Sequence, residues 1–341
     1  MVTIKEIAAR AGVSTATVSN VLHGNLKKVS PATVEKVRKL IDEMGYVQGQ
    51  GPHAVQKGGS HLVAVIVQYQ IGVESSLLTD PFYGVVIGVI EKELQKHGYY
   101  MLFYSSDNVD NIFKTIMGWN VDGVIAISFS DVNCEKLNQM TRKPIISIDC
   151  FYSGKQTQSS VPNIGLDDHM GGYLMTRHLM KVGYKSVFVC GYRNYGVDAW
   201  RWRGAQQALE EAGEMGGGCK LKLIELGVTA EEREKSYREI LRQMPFRSRT
   251  ALFFTADILA MEAYYFLLRS GVKIPEDVGI AGFDDNTESI GFSLLRLTTV
   301  RQDFPAKGRL AVEELVKAIE DPAYRMHSHL LPVSLVLRDS V

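Results

Sequence analysis

The chain has 341 residues, 45% of them apolar, which is enough for two or three compact units; its 31 Gly and 10 Pro are too few for a disordered or collagen-like chain. Its 38 Lys/Arg and 38 Asp/Glu cancel, which alone argues against a nucleic-acid partner, yet residues 1–60 hold eight basic and four acidic side chains, so a head of +4 precedes a body of −4. Four scattered cysteines (Cys134, Cys150, Cys190, Cys219) form no CxxC, no His cluster stands at ligand spacing, and no run reads as an export signal or membrane span, so the expectation is a cytoplasmic protein with free thiols, no metal, no cofactor and no membrane contact.

Residues 1–47 read as three short helices. Thr3 caps the first, with Glu6 completing a capping box, and Ile4, Ile7, Ala8 and Ala11 recur at helical spacing. Gly12 ends it where a positive φ is needed, Val13 fills the turn, and Ser14 caps a second helix from Thr15 to about His23. That helix places Val18, Val21 and Leu22 on one face and Thr15, Ala16, Thr17, Ser19 and Asn20 on the other, small polar side chains suited to close approach to a groove. Ser30-Pro31 opens a third helix carrying Val34, Val37, Leu40, Ile41 and Met44. A tight Gly-centred turn between two such helices is the helix-turn-helix signature.

The run from Thr3 through Ile7, Ala8, Ala11, Gly12, Val13, Ser14, Thr17, Val18, Ser19 and Leu22 fits T-x-x-x-[IV]-A-x-x-A-G-V-S-x-x-T-V-S-x-x-[LIV] at every fixed position. In this it resembles the lactose-repressor/galactose-repressor (LacI-type) family of bacterial transcription regulators. The resemblance implies that the second helix enters the major groove of double-stranded operator DNA, with Thr15, Ala16 and Asn20 reading bases and Ser14, Thr17 and Ser19 holding phosphates, beside the capping Thr3. Asn pairs bidentately with adenine, and Thr and Ala methyls pack on thymine methyl.

Residues 48–60, QGQGPHAVQKGGS, are Gly-rich and polar, a linker by composition. In LacI-type proteins this stretch becomes a short helix that opens a minor-groove step, a role that falls here to Val55. Gly49 and Gly51 lower helix propensity, so Val55 is either that wedge or part of a plain tether.

From residue 61 to 341 short apolar runs alternate with amphipathic helices: LVAVIV, YYMLFY, VDGVIAIS and KPIISID, then NIGL, SVFVCG, KLKLIEL, TALFFT and DVGIAGFD. Repeated β–α crossover predicts two doubly wound parallel-sheet lobes, with a ligand between them at the carboxyl ends of the strands. The resemblance extends over nearly the whole body as the periplasmic-binding-protein-like fold. It implies chain crossings near Val161, Ser289 and Asp321, hence an N-lobe of 61–161 plus about 290–321 and a C-lobe of 162–289 plus about 322–341. It further implies a homodimer whose two heads occupy successive major grooves.

Gln68 and Tyr69, Phe82 and Tyr83, Ser128, Asp149 and Asp284 fall just after strand ends, and Arg201 lies in the helix opening Trp200-Arg201-Trp202. A carboxylate and a guanidinium gripping neighbouring hydroxyls, with an aromatic face beside them, suit a small effector such as a sugar. The resemblance places Arg201 and Asp284 first among its contacts. The competing reading makes Arg201 and Asp284 salt-bridge partners and Phe82 a core side chain. Relatives carry Asn-Asp after the strand written here ALFFT; this chain has Ala256-Asp257, so Asp257 either replaces the missing amide as an effector contact or caps the next helix. The absence of GxGxxG, Walker A and GxSxG motifs at strand–helix junctions argues against an enzyme.

Overall fold

The computed structural model describes residues 4–22, 24–26, 29–44, 59–69, 77–151, 159–192, 196–213, 218–243, 249–286 and 296–341. The chain divides after Ser60 into two compact units. The first holds α1 (Ile4–Ala11), α2 (Thr15–Leu22) and α3 (Pro31–Glu43). Ile7, Ala8, Ala11, Val18, Val21 and Val37 are buried together, as the 3.6-residue spacing dictates. Gly12 takes φ +69°, the left-handed turn that α1 needs before the chain reverses into α2.

The second unit carries two six-stranded sheets. The first uses β1 (Leu62–Gln68), β2 (Tyr100–Ser106), β3 (Gly123–Ile127), β4 (Ile145–Ile148), β5 (Asn163–Leu166) and β11 (His329–Leu331), in the order β11-β5-β4-β3-β1-β2 with every pairing parallel. Strand periodicity sorts its residues: Val63, Val65, Val67, Ile125 and Ile127 pack under α4 (Pro81–Lys96) and α11 (Phe304–Glu320). Ala64, Ile66, Val124 and Ala126 face α5 (Val109–Gly118) and α6 (Asp131–Thr141). Both faces are covered, which is why these strands read as unbroken apolar runs.

The second sheet is ordered β12-β10-β9-β8-β6-β7, from β6 (Ser186–Gly191), β7 (Lys220–Glu225), β8 (Thr250–Phe254), β9 (Gly279–Asp284), β10 (Thr298–Arg301) and β12 (Ser334–Val336); only β12 runs antiparallel. Its faces are covered by α7 (Asp168–Lys181) and α8 (Gly196–Ala212) on one side, and α9 (Ala230–Gln243) and α10 (Asp257–Arg269) on the other.

The lobe boundaries differ from those expected. β5 pairs with β4, so the first crossing follows Leu166, not Val161. β10 pairs with β9 while α11 packs on the other lobe, so the second follows Arg301, not Ser289. β11 and β12 belong to different sheets, so the third lies after Leu331, not near Asp321. A short buried strand shows its type in its apolar run but not which sheet edge takes it, because that depends on distant hydrogen-bond partners.

Candidate functional site: the head and the interlobe cleft

In the head, the Thr17 amide donates to Ser14 Oγ at 3.1 Å, and the two hydroxyls lie 2.9 Å apart. The predicted N-cap is therefore in place. Helix α2, TATVSNVL, bears no charged side chain, so nothing repels an anion from its N-terminus, where free N–H groups and the helix dipole favour phosphate. Val18 and Val21 point into the core; Thr15 and Ala16 are exposed, and Thr17, Ser19 and Asn20 are partly so. The six described candidates thus share the side of α2 away from the core or its N-terminal end. Ser30 caps α3, accepting from the Thr33 amide at 3.3 Å. Thr3 and Val55, with nearly all of the linker, lie outside the described residues.

In the body, the ends of the strands carry unusual backbone. Ser128 after β3, Asp149 after β4 and Asp284 at the end of β9 take φ of +60°, +50° and +126°. Left-handed conformations at non-glycine residues cost on the order of 1–3 kcal/mol each and cluster where side chains must be aimed at a site.

On the C-lobe side, Arg201 is set by a close helix crossing. A Cβ at Gly172 of α7 would stand 1.8 Å from the Arg201 carbonyl oxygen, and one at Gly204 of α8 1.8 Å from that of His169, so only glycines let these helices touch. The crossing presses Arg201 onto Asp168: Nε donates to Oδ1 at 2.8 Å and a terminal nitrogen lies 2.8 Å from the same oxygen. Another terminal nitrogen donates to the Thr255 carbonyl, and the guanidinium stacks 3.6 Å from the Phe283 ring centre. Arg201 therefore pairs with Asp168, not with Asp284. Burial pushes the Asp168 carboxyl up to about 6 despite the opposing pull of Arg201. Asp284 accepts from the Gln302 amide at 2.5 Å, and burial lifts it to about 7 against the pull of Arg201.

Asp257 is fully buried, and it neither caps α10 nor reaches the cleft surface. One oxygen accepts from the Thr299 hydroxyl at 2.6 Å and the other from the Asn286 amide at 3.1 Å. It braces β10 and the end of β9 from beneath the wall, because α10 begins at Asp257, directly after its Ala256 cap, with that first side chain buried in the lobe.

On the N-lobe side, Asp149 is held by a residue absent from the expected set. Lys307, 1% exposed, donates to both Asp149 oxygens at 2.8 and 2.6 Å and to Gln302 Oε1 at 2.7 Å. Asp149, Lys307, Gln302 and Asp284 thus form one polar chain from the N-lobe, through the second crossing, to the C-lobe. Phe82 packs edge-on against Tyr83 and Phe304, with the Lys307 ammonium 5.3 Å from its ring centre, so it is both a core side chain and a cleft neighbour. Tyr83 shares a 3.1 Å hydrogen bond with Ser128, and burial raises its hydroxyl to about 12. Asp80 caps α4, accepting from the Phe82 amide at 2.8 Å, and its burial raises its carboxyl as well. Gln68, the last residue of β1, accepts from the Asn133 side chain of α6 at 3.2 Å, and the backbone amide of Tyr69, which follows it, donates to the Ser106 carbonyl at 3.3 Å.

Sequence reasoning missed Lys307, Gln302, Asp168 and Asp80 as site residues. Lys307 did leave a signal, being a charge on the apolar stripe Phe304, Lys307, Ala311, Leu315 of α11, where only a buried partner makes an ammonium tolerable. Among the described residues no group of His, Cys, Asp and Glu has the form of a metal site, and no helix is long and apolar enough to cross a membrane.

Comparison with known proteins follows the same division. Residues 3–48 match the model of bacterial regulatory proteins of the lacI family, and residues 176–341 match a periplasmic binding protein-like domain. The chain is 29% identical over 358 residues to the HTH-type transcriptional repressor PurR of Haemophilus influenzae (strain PittEE), spanning all of this chain and 99% of that protein. Among solved structures it is similar to a complex of the transcriptional regulator CelR with cellobiose (25% identity, TM-score 0.70, all of both chains). It shares the fold of a lac repressor dimer bound to operator and an anti-inducer (22% identity, TM-score 0.79, 99% of this chain and 98% of that one).

Proposed function

Because the chain belongs to the lacI family of bacterial regulatory proteins, we propose that it is a transcriptional repressor whose hold on operator DNA is set by a small molecule bound between its lobes. The observation that carries this reading is the joining of a lacI-type head over residues 3–48 to a two-lobed body whose strand ends gather Arg201, Asp284, Asp149 and Lys307. The head supplies a helix with a small, uncharged, exposed face. Thr15, Ala16 and Asn20 read base edges while Ser14, Thr17 and Ser19 position the helix on phosphates. Two heads must meet successive major grooves about 34 Å apart, so the working form is a homodimer.

The body supplies the control. Asp284 and Arg201 stand on the C-lobe wall and Asp149, Ser128 and Phe82 on the N-lobe wall, so a ligand touching both prefers one spacing of the lobes, and that preference is what couples it to DNA. A carbohydrate or carbohydrate-like metabolite suits these carboxylates, hydroxyls and aromatic edges; CelR was solved with cellobiose. The body binds and does not catalyse, and the protein works in the cytoplasm, where operator and effector meet. The test is retention of DNA fragments from the protein's own control region, titrated with salt and with metabolites of the neighbouring genes. The reading expects fragment-specific retention that falls steeply with salt and shifts with one metabolite class. Retention indifferent to sequence contradicts it.

A further inference from the structure

Two of the four cysteines meet. Cys134 stands in the first turn of α6, and Cys150 follows Asp149 beyond the end of β4. Both belong to one apolar core of the N-lobe, Cys134 within it and Cys150 packed against it. The backbone brings them together. Beyond β3 the chain runs through Ser130 into α6, and Phe151 lies in a parallel bridge with Ser130. The Phe151 amide donates to the Phe129 carbonyl at 3.1 Å, the Asp131 amide to the Phe151 carbonyl at 2.9 Å, and the Cys134 amide to the Ser130 carbonyl at 2.9 Å. The start of α6 and the residues after β4 are thus stitched side by side, and the two thiols share a hydrogen bond.

The pair is unequal. Cys134 is fully buried and Cys150 partly exposed. The Cys134 thiol donates to the Cys150 sulfur and holds Cys150 below the usual thiol range, against burial and the Asp131 and Asp149 carboxylates; the same contact, with burial, pushes Cys134 up. A redox-sensitive cysteine needs thiolate character, access, and a second thiol within reach to resolve its oxidation. Cys190, buried in the C-lobe core, and Cys219 contact backbone carbonyls instead, those of Phe188 and Lys220.

We propose that Cys134 and Cys150 are an oxidant-sensing dithiol that closes to a reversible disulfide and resets the cleft. The effect on the cleft rests on its reading as the site that controls the hold on DNA. The oxidant is a hydroperoxide. The Cys150 thiolate attacks the O–O bond and takes one oxygen as a sulfenic acid; the other leaves as hydroxide or alkoxide and takes up the proton that Cys150 gave away. The Cys134 sulfur then attacks the Cys150 sulfur, the S–O bond breaks, and its oxygen departs as water with the Cys134 proton. Two electrons pass from the thiols to the peroxide, and a small dithiol returns them by exchange. Closure draws the sulfurs in to about 2.05 Å. Cys134 is fixed in the core, so the residues after β4 move, and these border the cleft. Asp149 is the carboxylate gripped by Lys307, and Phe151 lies against the start of α8 in the other lobe, 3.8 Å from where a Cβ of Gly196 would stand.

The test treats the full-length protein and its Cys134→Ala and Cys150→Ser variants with excess hydrogen peroxide and then with dithiothreitol. Thiol counting and peptide mass spectrometry read the bond; retention of a DNA fragment from the protein's own control region reads its effect. The wild type should lose two of its four thiols and yield a cross-link joining the Cys134 and Cys150 peptides. Its DNA affinity should change by about fivefold or more, the lower end of coupling between sites, and dithiothreitol should reverse all three. Cys134→Ala should stop at a Cys150 sulfenic acid that dimedone captures, and Cys150→Ser should show neither product and no change in affinity. Survival of all the thiols, a cross-link through Cys190 or Cys219, or a Cys134–Cys150 cross-link that leaves DNA affinity unchanged overturns the proposal. Lack of fragment-specific retention by the reduced protein would be the failure of the repressor reading, recognisable as such because the peptides read the bond without DNA.

Discussion

Lys307→Met separates the ion pair at the heart of the cleft from its packing. Met follows the lysine stem and keeps its place beside the Phe82 ring, but removes the ammonium that sits 2.8 and 2.6 Å from the Asp149 oxygens and 2.7 Å from Gln302. The two side chains are 1% and 12% exposed, so water cannot take the cation's place cheaply. Removing one partner of a buried pair costs about 3–5 kcal/mol, most of it the desolvation of the charge left behind. The same principle makes the double variant Lys307→Met/Asp149→Asn far milder, because no charge is stranded. Urea unfolding of the body, followed by the fluorescence of Trp119, Trp200 and Trp202 at neutral pH, reads both. A loss below about 1 kcal/mol in the single variant, or a double variant as unstable as the single, would refute the argument that Asp149 depends on Lys307.

Three further outcomes follow from the same geometry. Asn20→Ala should cost roughly 1–3 kcal/mol of operator affinity and loosen preference at one base pair; equal weakening on all sequences in a binding-site selection would show that Asn20 reads no base. Arg201→Ala should blunt the effector response while operator retention persists, since the head is a separate unit; a variant responding at the wild-type effector concentration would rule out its part in binding. Asp284 binds its proton more tightly folded (about 7) than at its ordinary 3.8, so its contribution to stability is most favourable below about pH 4 and is lost as pH rises to about 7. Asp284→Asn should therefore gain on wild type progressively from pH 4 to 7, by up to roughly 4 kcal/mol, and level off above; a difference that does not change with pH would contradict this.

The parts legible in the sequence were those set by neighbours along the chain. Gly12, Ser14 and Ser30-Pro31 announce a turn and two caps whose partners lie within four residues, and each is found in place. The alternation of Val63, Val65 and Val67 with Ala64 and Ile66 gave a strand covered on both faces, because side-chain period is local. What was not legible depended on long-range pairing. Lys307 meets Asp149 across 158 residues, and Gln302 meets Asp284 only because β10 lies beside β9. Arg201 was expected as an effector contact or as the salt-bridge partner of Asp284; its partner is Asp168, which follows from the Gly172–Gly204 crossing that no spacing rule reveals. The lobe assignments of β5, β10 and β11 slipped for the same reason.

The most direct measurement is fluorescence anisotropy of the full-length protein on a labelled fragment from upstream of its own operon, against a shuffled fragment of equal length at fixed salt. The account requires the native fragment to bind at least about a thousandfold more tightly, with that preference lost when the α2 face is altered at Thr15, Ala16 and Asn20. Equal affinity for the two fragments, with circular dichroism showing the three head helices folded, would contradict it.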